Sequence, residues 1–156
     1  MRVTRVFTAL AAVALLGIAC EDNPTAVPAG LEIFTATLNG ANELPTPVTT
    51  TATGHATVTI LGDSLVSWEV IIDSPIDSIT AGGGHIHRFH PDTQFGGVVV
   101  PMTPPATGLD FTGTATIGSF APHDSILDII REGRGYVNIH TRLNPAGEIR
   151  GNLVRQ

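Results

Sequence analysis

Two short runs in this 156-residue chain hold most of its candidate chemistry. One is His85-Ile86-His87, followed closely by His90. The other is Tyr136-Val137-Asn138-Ile139-His140-Thr141, leading into Asn144-Pro145-Ala146-Gly147-Glu148-Ile149-Arg150-Gly151. In an extended strand alternate side chains share a face, so His85 and His87 point one way and Ile86 the other. By the same rule Tyr136, Asn138 and His140 share a face opposite Val137 and Ile139. If the two strands lie side by side, three imidazoles come together. Imidazole nitrogen is a good ligand for Zn and Cu, and a His-x-His strand offers two such ligands without distortion.

The metal candidates are therefore His85, His87 and His140, with His90 as a fourth ligand or a replacement for one of them. Zn²⁺ or Cu²⁺ would be the cofactor, and its hold should weaken below about pH 6, because free imidazole titrates near 6.5. The competing reading is structural: the same histidines hydrogen-bonded to backbone or to Glu148, or lining a groove for a partner. Glu43, Asp92 and Glu148 are the carboxylates placed to orient ligands. Glu148, Arg150 and Asn152 share one face of the last strand, where Glu148 and Arg150 can pair and lock that strand against Tyr136–His140 with Asn138 alongside.

Other chemistry finds little support. Ser64, Ser67, Ser78 and Ser119 lack a Gly-x-Ser-x-Gly elbow. Gly82-Gly83-Gly84 lacks the Lys and the following helix of a phosphate loop. No carboxylate pair of glycosidase type stands out. His55 and His123 lie apart from the two motifs and read as surface residues.

These side chains must be positioned by strands. Thr, Val and Ile alternate in short runs broken by Gly, Pro, Asn and Asp, the texture of a sandwich or barrel. Phe34, Ala36 and Leu38 face inward on one run, and Ala56, Val58 and Ile60 on the next. Leu61-Gly62-Asp63-Ser64-Leu65 turns into Val66-Ser67-Trp68-Glu69-Val70-Ile71-Ile72, whose core face is Val66, Trp68, Val70 and Ile72. Ala81 to Gly84 reads as a flexible approach to the His-x-His strand. Val98 to Val100 is a short strand ended by Pro101, and Phe111 to Ile117 is another alternating strand. A single helix is predicted over 124–132: Asp124 caps it, Ile126, Leu127, Ile129 and Ile130 form its apolar face, and Gly133 ends it. The fold class expected is all-β, a single antiparallel Greek-key sandwich of immunoglobulin or Cu,Zn superoxide dismutase shape, with one short helix.

The N-terminus is an address. Arg2 and Arg5 precede an apolar stretch, Val6 to Ile18, too short for a spanning helix and ending at Ala19-Cys20. Leu16-Gly17-Ile18-Ala19-Cys20 resembles a bacterial lipobox, with Gly at a position more often Leu. Cys20, the one cysteine of the chain, is then the lipidated residue; the alternative is an ordinary secretory signal that happens to contain it. The expected organisation is a signal over 1–19, lipidated Cys20 and a Pro/Gly tether over 20–30, and one domain over 31–156. No disulfide can form, so burial of apolar surface must hold the fold. Removing the signal leaves six arginines against fourteen acids and no lysine. That formal charge of −8 opposes nucleic-acid binding. The expected location is the bacterial cell envelope, periplasmic or outer face, with the membrane as a partner through the lipid.

The quoted motifs also carry a resemblance. His-Ile-His, Tyr-Val-Asn-Ile-His-Thr and Asn-Pro-Ala-Gly-Glu-Ile-Arg-Gly-Asn-Leu, with Phe34 to Pro45 upstream, resemble the CHRD domain, named after chordin and found in many secreted bacterial proteins. The resemblance spans roughly Leu31 to Val154 and implies a binding module, with an unidentified protein or ligand partner and no catalytic residues. His-x-His with a distant third histidine also resembles the copper site of Cu/Zn superoxide dismutase, though no bridging-histidine spacing or cysteine pair accompanies it. A metal-dependent redox enzyme is therefore the alternative.

Overall fold

The computed structural model describes residues 30–103, 110–116 and 123–156. The signal, Cys20 and nearly all of the tether lie outside the described residues, as do the side chains of His123 and of Asp124, the expected helix cap. Strands β1 (Leu31–Asn39), β2 (Thr53–Leu61) and β3 (Leu65–Ile72) form an antiparallel meander. Its alternation runs as the sequence dictates: Phe34, Ala36, Leu38, Ala56, Val58, Ile60, Val66, Trp68, Val70 and Ile72 are all buried. Gly62 closes the β2–β3 turn at φ 58°, a left-handed conformation that glycine adopts without steric cost.

The remaining strands are β4 (Ile79–Arg88), β5 (Val98–Met102), β6 (Phe111–Thr116), β7 (Gly135–Thr141), β8 (Ile149–Asn152) and β9 (Val154–Arg155). One continuous antiparallel sheet runs β5-β4-β7-β8-β1-β2-β3-β6, with β9 also beside β1. The sheet rolls up until its ends approach: the Phe111 ring of β6 lies against Gly84 of β4, about where a Cβ would come within 3.0 Å of it. The all-β antiparallel expectation holds, and the layers of the sandwich are parts of one nearly barrel-like sheet.

Helix α1 (His123–Arg131) sits on this body through Ile126, Leu127, Ile129 and Ile130, every one buried. Gly133 stops it at φ 70°, and Arg134 N–H donates back to Ile129 O at 2.9 Å. Arg131 fastens the helix end to the sheet: its Nε donates to Glu32 at 2.8 Å and a terminal nitrogen to Asp63 at 2.9 Å. Among the described residues no helix is long and apolar enough to cross a membrane.

One expectation is corrected. Ala81 to Gly84 is part of β4, not a loose approach to it. Its glycines serve closeness: a Cβ on Gly83 would sit 2.6 Å from His140 O, and one on Gly84 would press on Phe111. Pro101 likewise lies within β5 and does not end it. That is possible because β5 is an edge strand, where a missing N–H need not break a ladder.

Candidate metal centre

The strand order places β4, β7 and β8 side by side. The register sets His85 opposite Asn138, His87 opposite Tyr136, and Asn138 opposite Arg150. An irregularity of pairing between Ile79 and Gly84 lets β4 bend where it passes His140. The three motif histidines meet. Ring centroids are 5.2 Å apart for His85–His87, 5.0 Å for His85–His140 and 5.7 Å for His87–His140, and one nitrogen from each lies within 4.8 Å of the other two.

Two of the rings are oriented from behind by backbone carbonyls. His87 Nδ1 is 3.0 Å from Gly96 O, and His140 Nδ1 is 3.1 Å from Pro145 O. A carbonyl only accepts, so both Nδ1 atoms carry the proton and both Nε2 atoms keep a free lone pair. Those lone pairs have nowhere to go within the protein: His87 Nε2, His140 Nε2 and His85 Nδ1 are all buried without a hydrogen-bond partner. Buried polar atoms ordinarily find partners, so three orphaned ring nitrogens in one cluster need an explanation. A cation held between them supplies one.

The geometry fits a metal. A triangle of side 4.8 Å has its centre roughly 2.8 Å from each corner. Each imidazole therefore needs to move by less than ~1 Å to reach a metal–nitrogen bond of ~2.0–2.1 Å. The site also favours neutral rings. Burial pushes the His85 imidazole down to about 4, with the neighbouring His140 and His87 adding to the shift. Burial lowers His87 and His140 as well, each against its backbone hydrogen bond.

A second layer surrounds the cluster. Tyr136 stacks on His87 at 4.9 Å and 13°, while the Arg150 guanidinium carbon sits 3.7 Å from the Tyr136 ring centre. One ring face cannot hold both, so Tyr136 is sandwiched between imidazole and guanidinium. Arg150 is only 2% exposed and donates to the carbonyl of Gln94. Glu43, also buried, approaches Asn138 Nδ2 at 3.4 Å, and burial raises its carboxyl to about 7 against the pull of Arg150 and Asn138.

The other expected participants stand elsewhere. His90 is on the surface with its Nδ1 3.4 Å from Asp92, outside the cluster, and Asp92 serves no ligand. His55 is exposed beside Asp73 at 3.1 Å, as expected of a surface histidine. Glu148 lies just before β8, which starts at Ile149; both Glu148 and Arg150 are buried, and they do not pair. Glu148 instead accepts from Thr50 at 2.8 Å and Thr141 at 2.6 Å. Two short hydroxyl donors satisfy a buried carboxylate without an opposing charge. The sequence reading missed the carbonyls of Gly96 and Pro145, since a backbone acceptor leaves no mark on residue type.

Residues 34–153 match the family model of the CHRD domain. The chain belongs to the CHRD domain family. No curated protein and no solved structure matches it. The motifs that carry the match are the strands that build the centre: β4, β7 and β8 bring the His-x-His, the Tyr-Val-Asn-Ile-His-Thr and the Glu-Ile-Arg-Gly of this CHRD domain onto one buried polar face.

Proposed function

We propose that this chain is a CHRD binding module held in the bacterial cell envelope by a lipid on Cys20, with a metal ion bound by His85, His87 and His140. The observation that carries the metal is the set of three buried, unpartnered imidazole nitrogens converging within 4.8 Å. The lipid anchor rests on the lipobox-like Leu16–Cys20 and on the polar tether that follows it. Zn and copper are the metals that suit an all-imidazole set. The ion would close a centre that otherwise leaves three acceptors unsatisfied, so its binding energy adds to the stability of the fold.

The test is metal content and melting temperature of the chain from residue 21 onward. Stoichiometric metal, and a melting temperature raised by Zn or copper, are expected for the wild type. The double change His85→Ala with His87→Ala should abolish both, while His55→Ala and His90→Ala should leave both intact. Equal effects from all four positions, or a wild type that no metal stabilises, would leave the cluster a structural feature only.

A further inference from the structure

The proposed metal centre has a chemical character that separates one metal from the others. All three converging nitrogens are shut off from water: His85 Nδ1, His87 Nε2 and His140 Nε2 each expose almost no surface. Zn²⁺ takes four ligands, and when a protein supplies three the fourth is normally water or substrate. The nitrogens themselves leave water almost no surface to approach. An ion content with three neutral nitrogens fits the enclosure better.

Charge points the same way. Among the described residues no carboxylate joins the three-histidine cluster. Glu148 is held by Thr50 and Thr141, and Glu43 is turned toward Asn138. The Tyr136 hydroxyl is engaged by the backbone of Gly96 at 3.4 Å. The positive charge of Arg150 lies 3.7 Å from the centre of the Tyr136 ring that stacks on His87. Burying net charge in a low-dielectric interior costs more the larger the charge.

We infer that the three-histidine centre selects monovalent copper, Cu⁺, over Zn²⁺ and Cu²⁺, and that Arg150, acting through the Tyr136 stack, is a positioning residue that sets this preference. The inference rests on the proposed metal centre and adds to it the identity and charge of the ion.

The experiment uses the chain from residue 21 onward, under anaerobic conditions, in competition with chromophoric chelators for Cu⁺, Cu²⁺ and Zn²⁺ in turn. One Cu⁺ per chain is expected, bound at least ~100-fold more tightly than Zn²⁺, with an X-ray absorption edge typical of three-coordinate Cu⁺. Arg150→Met should narrow the preference for Cu⁺ over Cu²⁺ about tenfold, a fall of about 59 mV in the copper potential. Arg150→Lys, which keeps the charge, should restore most of it. Zn²⁺ bound as tightly as Cu⁺ would overturn the inference while leaving the metal centre standing. Failure to bind any of the three ions would overturn the metal centre itself. If the Arg150 variants do not fold, the wild-type ratio of Cu⁺ to Zn²⁺ affinity still decides the question.

Discussion

Gly96 O lies 3.0 Å from His87 Nδ1, and the same carbonyl receives the hydroxyl of Tyr136 at 3.4 Å. A single backbone oxygen thus sets both the tautomer of a proposed ligand and the ring stacked on it. Gly96 has little freedom to move, because a Cβ there would meet Arg88 O at 2.6 Å.

Gly96→Ala should therefore push the carbonyl away and let the His87 ring turn. Metal affinity is expected to fall about 10–100-fold, the usual effect of losing a partner behind a ligating histidine. A chelator competition on the folded variant reads this directly. Unchanged affinity would show that the Gly96 contact does not orient the ligand.

The pH dependence of the metal-free protein has two opposed parts. The cluster imidazoles have folded pKa values below the ordinary 6.5, His85 at about 4. As pH falls through that window the unfolded chain takes up protons first, so stability is present above pH 6.5 and lost toward pH 4. Metal retention should likewise persist somewhat below pH 6, because the folded imidazoles resist protonation. Glu43 acts in reverse: its folded value of about 7 lies above the ordinary 4.5, so the unfolded chain releases the proton first and stability falls as pH rises from about 4.5 to 7.

Glu43→Gln isolates the second part. The variant should gain on the wild type across that window and level off above pH 7 at roughly 2–3 kcal/mol. Urea melts at pH 5 and pH 8 give the comparison. A constant difference between the two would mean that Glu43 is ionised throughout.

Trp68 fills the interior between strands. Its indole lies over Gly113 so closely that a Cβ there would come within 2.5 Å of the ring. Trp68→Ala should cost about 3–5 kcal/mol, as large aromatic deletions from cores do. Gly113→Ala should cost about 1–3 kcal/mol by overpacking the same contact. Denaturant melts followed by circular dichroism measure both; a loss under ~1 kcal/mol for Trp68→Ala would contradict its core position.

Most of the scaffold could be read from period-two alternation. Phe34, Ala36 and Leu38, then Val66, Trp68, Val70 and Ile72, announce their inward faces because a half-buried strand has no other pattern available. The convergence of His85, His87 and His140 was legible as a possibility, since face-sharing is local, while strand adjacency is a property of the whole sheet. Three features were hidden. Gly82-Gly83-Gly84 has the composition of a hinge, but Gly83 and Gly84 are needed for close packing against His140 O and Phe111. Glu148 and Arg150 look like a solvated pair because burial of a charge depends on partners, Thr50 and Gln94, far away in the chain. Gly96 and Pro145 act through backbone oxygens that every residue possesses.

The proposed anchor has its own test. Cys20→Ser should release the protein into the soluble fraction and abolish incorporation of labelled fatty acid. A variant found wholly in membranes would remove the lipid from the proposal.

The first and last strands are neighbours. β9 pairs with β1 through Phe34–Arg155 and Thr35–Val154, and Gln156 N–H donates to Ile33 O at 2.9 Å. One edge of β1 is thus completed by β8 and β9, far away along the chain. The β1–β2–β3 meander can pair locally, but the second edge of β1 stays open until β8 and β9 reach it. The high sequence separation of this closure slows folding relative to a sheet built from local hairpins alone.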